Sequence, residues 1–139
     1  MRGTTGRLVV AIACVGLGGC TTTSLTGPAA SRPATADSII SAMQGGLIGG
    51  SLGTNLGSRD RRKALEAEYR ALEYTAPGTP VVWRSEDGRI AGRVVAAQPY
   101  RVGSQDCRQY SHAVSVGADE NDARGTACRS PNGSWTPLT

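Results

Sequence analysis

The stretch TPVVWRSEDGRIAGRVVAA, residues 79–97, decides the fold of this chain. Val81-Val82-Trp83 is β-branched and aromatic, and Asp87-Gly88 is a strong hairpin signal. The return over Arg89 to Ala97 puts Ile90 and Val94 on one face and Arg93 on the other, and Pro99 ends it. A third strand is expected over about 106–116, followed by an acidic loop from Gly117 to Asp122 and a returning strand from Arg124 to Arg129. Asn132-Gly133 makes another tight turn, ahead of a short last strand with Trp135. Four or five short antiparallel strands over 76–139 with one covering helix predict an α+β domain, a small sheet or barrel-like unit.

The covering helix is predicted just upstream. Residues 59–74, RDRRKALEAEYRALEY, are rich in helix formers, and Glu66 and Arg70 can pair at i,i+4. Leu65, Tyr69 and Leu72 form one stripe that should dock on the sheet. Pro77-Gly78 closes the segment, giving an amphipathic charged helix over 59–75. Arg59, Arg61, Arg62 and Lys63 read as a solvated face, the alternative being contact with anionic phosphates.

Ser38 to Ser58 holds 21 residues without a charge. Gly45, Gly49, Gly53 and Gly57 recur every four residues, with Gly46 and Gly50 as an offset pair. On a helix over 38–58 they would form a smooth packing strip, with Ile40, Leu47, Ile48, Leu52 and Leu56 on other sides. The length suits a bilayer core of about 30 Å at roughly 1.5 Å per residue. Against this, each glycine costs about 1 kcal/mol in a helix in water, and Gln44 and Asn55 sit poorly in lipid. The sequence leaves open whether the segment spans a membrane, lies on one or packs against itself.

The N-terminus carries an address. Two arginines in the first seven residues precede the uncharged run Leu8–Leu17 and then Gly18-Gly19-Cys20. This is the pattern of a lipoprotein signal peptide over 1–19, with Cys20 acylated by palmitate-type chains as the first mature residue. Cys14 is a weaker second candidate. Residues 20–37, rich in Thr, Ser and Pro, read as a flexible linker.

Removing residues 1–19 takes two of the fifteen basic residues, leaving thirteen against eleven acids. A charge near +2 provides no concentrated basic patch for nucleic acid. Cys107 and Cys128 remain as an even pair in an exported chain and are expected to form a disulfide. Metal ligation competes, but two cysteines and one histidine without a CxxC make a poor donor set. If Cys107 faces Cys128 across an antiparallel pair, Asp106 lies opposite Arg129 and Arg108 opposite Ala127.

No catalytic, metal or cofactor constellation stands out. His112, the only histidine, shares a predicted strand face with Tyr110 and Val114 and is expected to be structural or surface-exposed, with no evident serine or carboxylate partner. Asp119, Glu120 and Asp122 lack the ligand spacing of a calcium loop. Trp83 and Trp135 are expected to meet in the core. Arg108 and Arg129 are expected to be structural, a small anion site being the alternative.

Taken together, the glycine repeat of residues 45–57, Asp60-Arg61, Ala71-Leu72-Glu73, Val81-Val82-Trp83, Gly92, Tyr100, Cys107-Arg108-Gln109-Tyr110, Gly125-Thr126-Ala127-Cys128-Arg129 and Gly133-Ser134-Trp135 resemble the rickettsial-type 17-kDa surface antigen lipoproteins. The resemblance implies an outer-membrane lipoprotein with a glycine zipper, a small β domain and no catalytic activity. Family members often carry two apolar passes, where this chain has about one. Thr21 after the acylation site, where aspartate is absent, suggests the outer membrane by lipoprotein sorting habits. The expected function is therefore a non-enzymatic structural or interaction role in the cell envelope. Its partners would be the membrane through the N-terminal lipid, a second copy through the glycine strip, or another envelope protein. The alternative is a periplasmic inhibitor or binding module, for example against a lysozyme-like wall-active enzyme, inserting residues 117–122.

Overall fold

In the computed structural model, residues 36–138 are described. The signal peptide, Cys14, Cys20 and nearly all of the 20–37 linker lie outside the described residues. Six strands form one antiparallel sheet: β1 (Pro80–Arg84), β2 (Ile90–Ala96), β3 (Tyr100–Val102), β4 (Gln105–Val116), β5 (Asp119–Arg129) and β6 (Trp135–Pro137). The spatial order is β1-β2-β4-β5-β6, with β3 paired to the start of β4. Every connection is short, so each strand lies beside one close to it in sequence.

The hairpin in residues 79–97 forms as its residues predict. Trp83 pairs with Gly92, and a Cβ at Gly92 would fall on the Trp83 indole, so glycine opens the slot that the ring fills. At the turn, the Ser85 hydroxyl accepts from the Ile90 amide at 3.0 Å and donates to Asp87 at 2.7 Å. The Ser85 bond, followed by donors from Arg89, holds the Asp87 carboxyl down at about 2.

Two details differ from the sequence expectation. Residues 100–102 form an extra strand whose three residues carry too little periodicity to be read. The acidic stretch is no loop: only Gly117 and Ala118 make the turn, Gly117 at φ 63°, and Asp119 to Asp122 already belong to β5.

Helix α2 (Ser58–Glu73) buries Ala64, Leu65, Ala67, Glu68, Ala71 and Leu72 against the sheet. Tyr69 packs at the margin of this core. The alanines let helix and sheet approach closely, and each buried leucine contributes about 1.5–3 kcal/mol. The i,i+4 pair that forms is Arg62–Glu66 at 3.3 Å, one turn earlier than the Glu66–Arg70 expectation. Trp83 and Trp135 are both buried but do not meet. β1 and β6 are opposite ends of the strand order, four sheet spacings or roughly 19 Å apart.

The glycine-rich segment departs most from expectation. The structure shows no continuous helix over 38–58. A short helix α1 (Ala36–Ala42) is followed by tight turns and two single 3-10 turns, Leu47–Gly49 and Ser51–Gly53. Gln44, Gly45 and Gly46 all have positive φ, at 49°, 87° and 56°. Three consecutive left-handed residues cannot continue a right-handed helix, so the chain reverses there. The segment forms a strap across the edge of the core, burying Met43, Ile48 and Leu56. Its glycines serve close contacts within the strap: a Cβ at Gly45 would crowd Gly49, and one at Gly53 would fall on the Ile48 carbonyl. No helix among the described residues is long and apolar enough to cross a membrane.

Candidate functional site

Two polar centres hold α2 to the sheet, five residues apart along the helix. The first forms around Glu68, which interrupts the apolar stripe between Leu65 and Leu72 and is fully buried. Its Oε1 lies 2.7 Å from His112 Nδ1 and accepts from the Ile48 amide at 3.2 Å. Its Oε2 accepts from the Leu47 amide at 3.1 Å and from the Tyr110 hydroxyl at 3.4 Å. Every neighbour is a donor, which an ionised carboxylate requires and a protonated one would frustrate.

His112 is also fully buried. Trp83 Nε1 can only donate, and it lies 2.8 Å from His112 Nε2. Nε2 is therefore the acceptor, and the ring proton sits on Nδ1, facing Glu68. The imidazole is neutral, with both nitrogens engaged. Burial, then the charge of Glu68 and the hydrogen bond to it, push the Tyr110 phenol far up. The strap closes this centre: Gly46 leaves no room for a side chain against Glu68, and Leu47 rests on Gly125.

The second centre is at the C-terminal end of α2. Cys107 and Cys128 are directly paired across β4 and β5 and form the disulfide. Arg108 is opposite Ala127, as the cysteine register predicts. The residue after each cysteine points to the opposite face, toward the helix. Arg108 is buried and donates to the carbonyls of Ala71, Leu72 and Thr75 at 3.0, 2.7 and 3.2 Å, and to Ala97 at 2.8 Å. It satisfies the helix end and meets the negative pole of the helix dipole. Burial lowers its pKa, and its Nη2 is buried without a hydrogen-bond partner.

Arg129 does not pair with Asp106. It forms a bidentate bridge to Glu73, at 2.8 and 2.7 Å, while Asp106 takes Arg101 at 3.3 Å. Trp135 Nε1 donates to the same Glu73 carboxylate at 2.8 Å. The Arg129 bonds, opposed by burial and assisted by Trp135, hold the Glu73 carboxyl below its ordinary value. Nearby, burial and then Tyr74 push the Tyr69 phenol up to about 12.

Sequence reasoning expected the disulfide and a structural role for Arg108 and Arg129, but gave Arg129 the wrong partner and missed Glu68. Its signal was available, since a glutamate between two core leucines on a helix has to find donors. Asp119, Glu120 and Asp122 lie along an exposed strand, and no metal-holding cluster occurs among the described residues. The Arg59–Lys63 run is largely neutralised: Arg59 bonds Glu86 at 2.6 Å, Arg62 bonds Glu66 and Asp37, and Arg61 reaches the Gly53 carbonyl at 2.9 Å.

The fold and its two centres define a small disulfide-bridged α+β domain whose titratable core is structural. Residues 70–136 match the model of the family described as 17 kDa outer membrane surface antigen. Over this domain the chain is similar to the 17 kDa surface antigen family. The 17 kDa surface antigen of Rickettsia bellii is 38% identical over 85 residues, covering 60% of this chain and 54% of the relative. That of Rickettsia felis is 42% identical over 78 residues, covering 55% and 49%. That of Rickettsia prowazekii is 36% identical over 78 residues with the same coverage. The chain thus spans about half the length of these relatives. No solved structure matches it.

Proposed function

We propose that this chain is a surface-antigen-type lipoprotein of the outer membrane, anchored by lipid at Cys20, with a non-enzymatic structural or interaction role in the cell envelope. The observation that carries this reading is how the Glu68–His112 pair is used. The nitrogen that a general base would offer to a substrate accepts the Trp83 indole proton instead, in the interior of the core. The family name supports a location at the cell surface, and the disulfide suits an oxidising compartment.

The test is the intact mass of protein extracted from envelopes, with and without reductant. A mass of residues 20–139 plus acyl chains, rising by two hydrogens on reduction, supports anchor and bridge together. A mass without lipid would sink the lipoprotein reading.

A further inference from the structure

Helix α2 and the strap lie on one side of the sheet; on the other side, away from the buried disulfide, the rows toward the Gly117 turn are uncovered among the described residues. Strand alternation and register assign its side chains in rows. One row runs Arg84, Ala91, Ser115, Glu120 from β1 to β5. The next runs Val82, Arg93, Ala113, Asp122. The third runs Pro80, Val95, Ser111, Arg124.

The first two rows share a pattern. Their arginines stand on β1 and β2, their carboxylates on β5, and small side chains occupy the middle. Arg84 and Arg93 are exposed and have no ion pair among the described residues, in contrast to the neutralised run on α2. Arg124 has only a 3.9 Å contact to Asp122, and Glu120 accepts from Ser115. Arg93, Val95, Ser111, Ala113, Glu120, Asp122 and Arg124 line a single shallow depression. Val82, at the β1 margin, is 52% exposed.

We infer that this face is an interface between two copies of the chain. A two-fold axis parallel to the strands, above the gap between β2 and β4, lays β1 and β2 of one copy over β5 and β4 of the other. Rows then face like rows. The Arg84–Arg93 side of each copy meets the Glu120–Asp122 side of its partner twice over. The floor of alanine and serine lets the sheets approach to the spacing of about 10 Å usual for packed sheets. An in-plane axis across the strands would instead lay each strand over its own copy, leaving Arg84 and Arg93 on β1 and β2 with no carboxylate to face, so the charges select the first arrangement.

The interface is tested on the full chain by sedimentation velocity over a concentration series, at low and high salt. The expected result is a dimer that weakens as salt rises. Arg84→Glu with Arg93→Glu should raise the dissociation constant at least tenfold, and so should Glu120→Arg with Asp122→Arg. All four together restore the pairing with its signs reversed, and dimerisation should return. Far-ultraviolet circular dichroism checks that each variant is folded. A wild-type chain that stays monomeric throughout overturns the inference, as does a dimer that neither double reversal weakens or that the fourfold variant fails to restore. These results do not depend on acylation, so failure here leaves the anchor reading intact and the reverse holds too.

Discussion

Glu68 and Glu73 sit on one helix and face one sheet, the first linked to a tryptophan through His112 and the second directly, yet they are held by different physics. Glu68 is fully buried and has no cation beside it; two backbone amides, an imidazole N–H and a phenol surround it. Glu73 is near the surface and depends on one arginine. The dry centre works only if every donor is present, because each bond lost leaves another buried group unsatisfied. The wet centre behaves as a partly screened ion pair. The two centres along α2 should therefore fail differently.

Breaking the dry centre should cost most. Glu68→Gln places an amide N–H₂ among four donors and takes the acceptor from either Leu47 or Ile48. We expect a loss of about 3 kcal/mol or more in urea unfolding, with amide exchange at residues 47 and 48 accelerating before that of the sheet. A loss below about 1 kcal/mol would mean that the carboxylate is not the keystone described.

Next in size is the disulfide beneath the wet centre. Replacing Cys107 and Cys128 by serine should cost about 3 kcal/mol for a loop of 21 residues on the chain-entropy estimate. Thermal unfolding of the double variant measures it. An unchanged midpoint would separate the bridge from the stability of the fold.

Glu73→Gln should cost less, about 1–2 kcal/mol, and it should change the acid limb of stability. The Glu73 carboxyl is lowered below its ordinary value of 4.5 chiefly by Arg129. Its stabilisation is complete above that ordinary value, where folded and unfolded chains are both ionised. It is lost as pH falls through the lowered folded value, since the unfolded state binds the proton first. Stability curves of wild type and Glu73→Gln should therefore converge toward acid pH; parallel curves would refute the assignment. The smallest effect belongs to the exposed Arg62–Glu66 pair, where Glu66→Ala should shift stability by no more than about 0.5 kcal/mol.

The contrast also explains what the sequence made legible. The strands, α2, the cysteine register and the helix-facing stripe follow from period, turn residues and parity, all local signals. Arg129 was visible as a structural arginine, but its partner was not: from the cysteine register Asp106 lies opposite, whereas Glu73 approaches only once α2 has docked. Glu68 and His112 are 44 residues apart and meet solely through that docking. The glycine segment misled because a four-residue period is a helix signal only where φ stays negative. Gln44, Gly45 and Gly46 adopt the left-handed region, and amide donors to Glu68 become available just after them. The sheet edge shows a further device with little sequence signal: Pro80 at the start of β1 has no amide to offer, and Lys63 reaches the Arg84 carbonyl at 3.4 Å, which blunts an open edge.

α1 touches β6, so the first and last described elements lie together at the β6 margin of the sheet. The turn at Gly117 and Ala118 is at the other end of β4, eleven residues or about 37 Å away from Gln105. Both ends of the described chain, residues 36–138, therefore belong to elements at the β6 margin. A label fused after Leu138 reports on the surroundings of residue 36, whichever surface those prove to be. A label inserted between Gly117 and Ala118 reports on the opposite side, and comparing the two in intact cells measures which way the domain points.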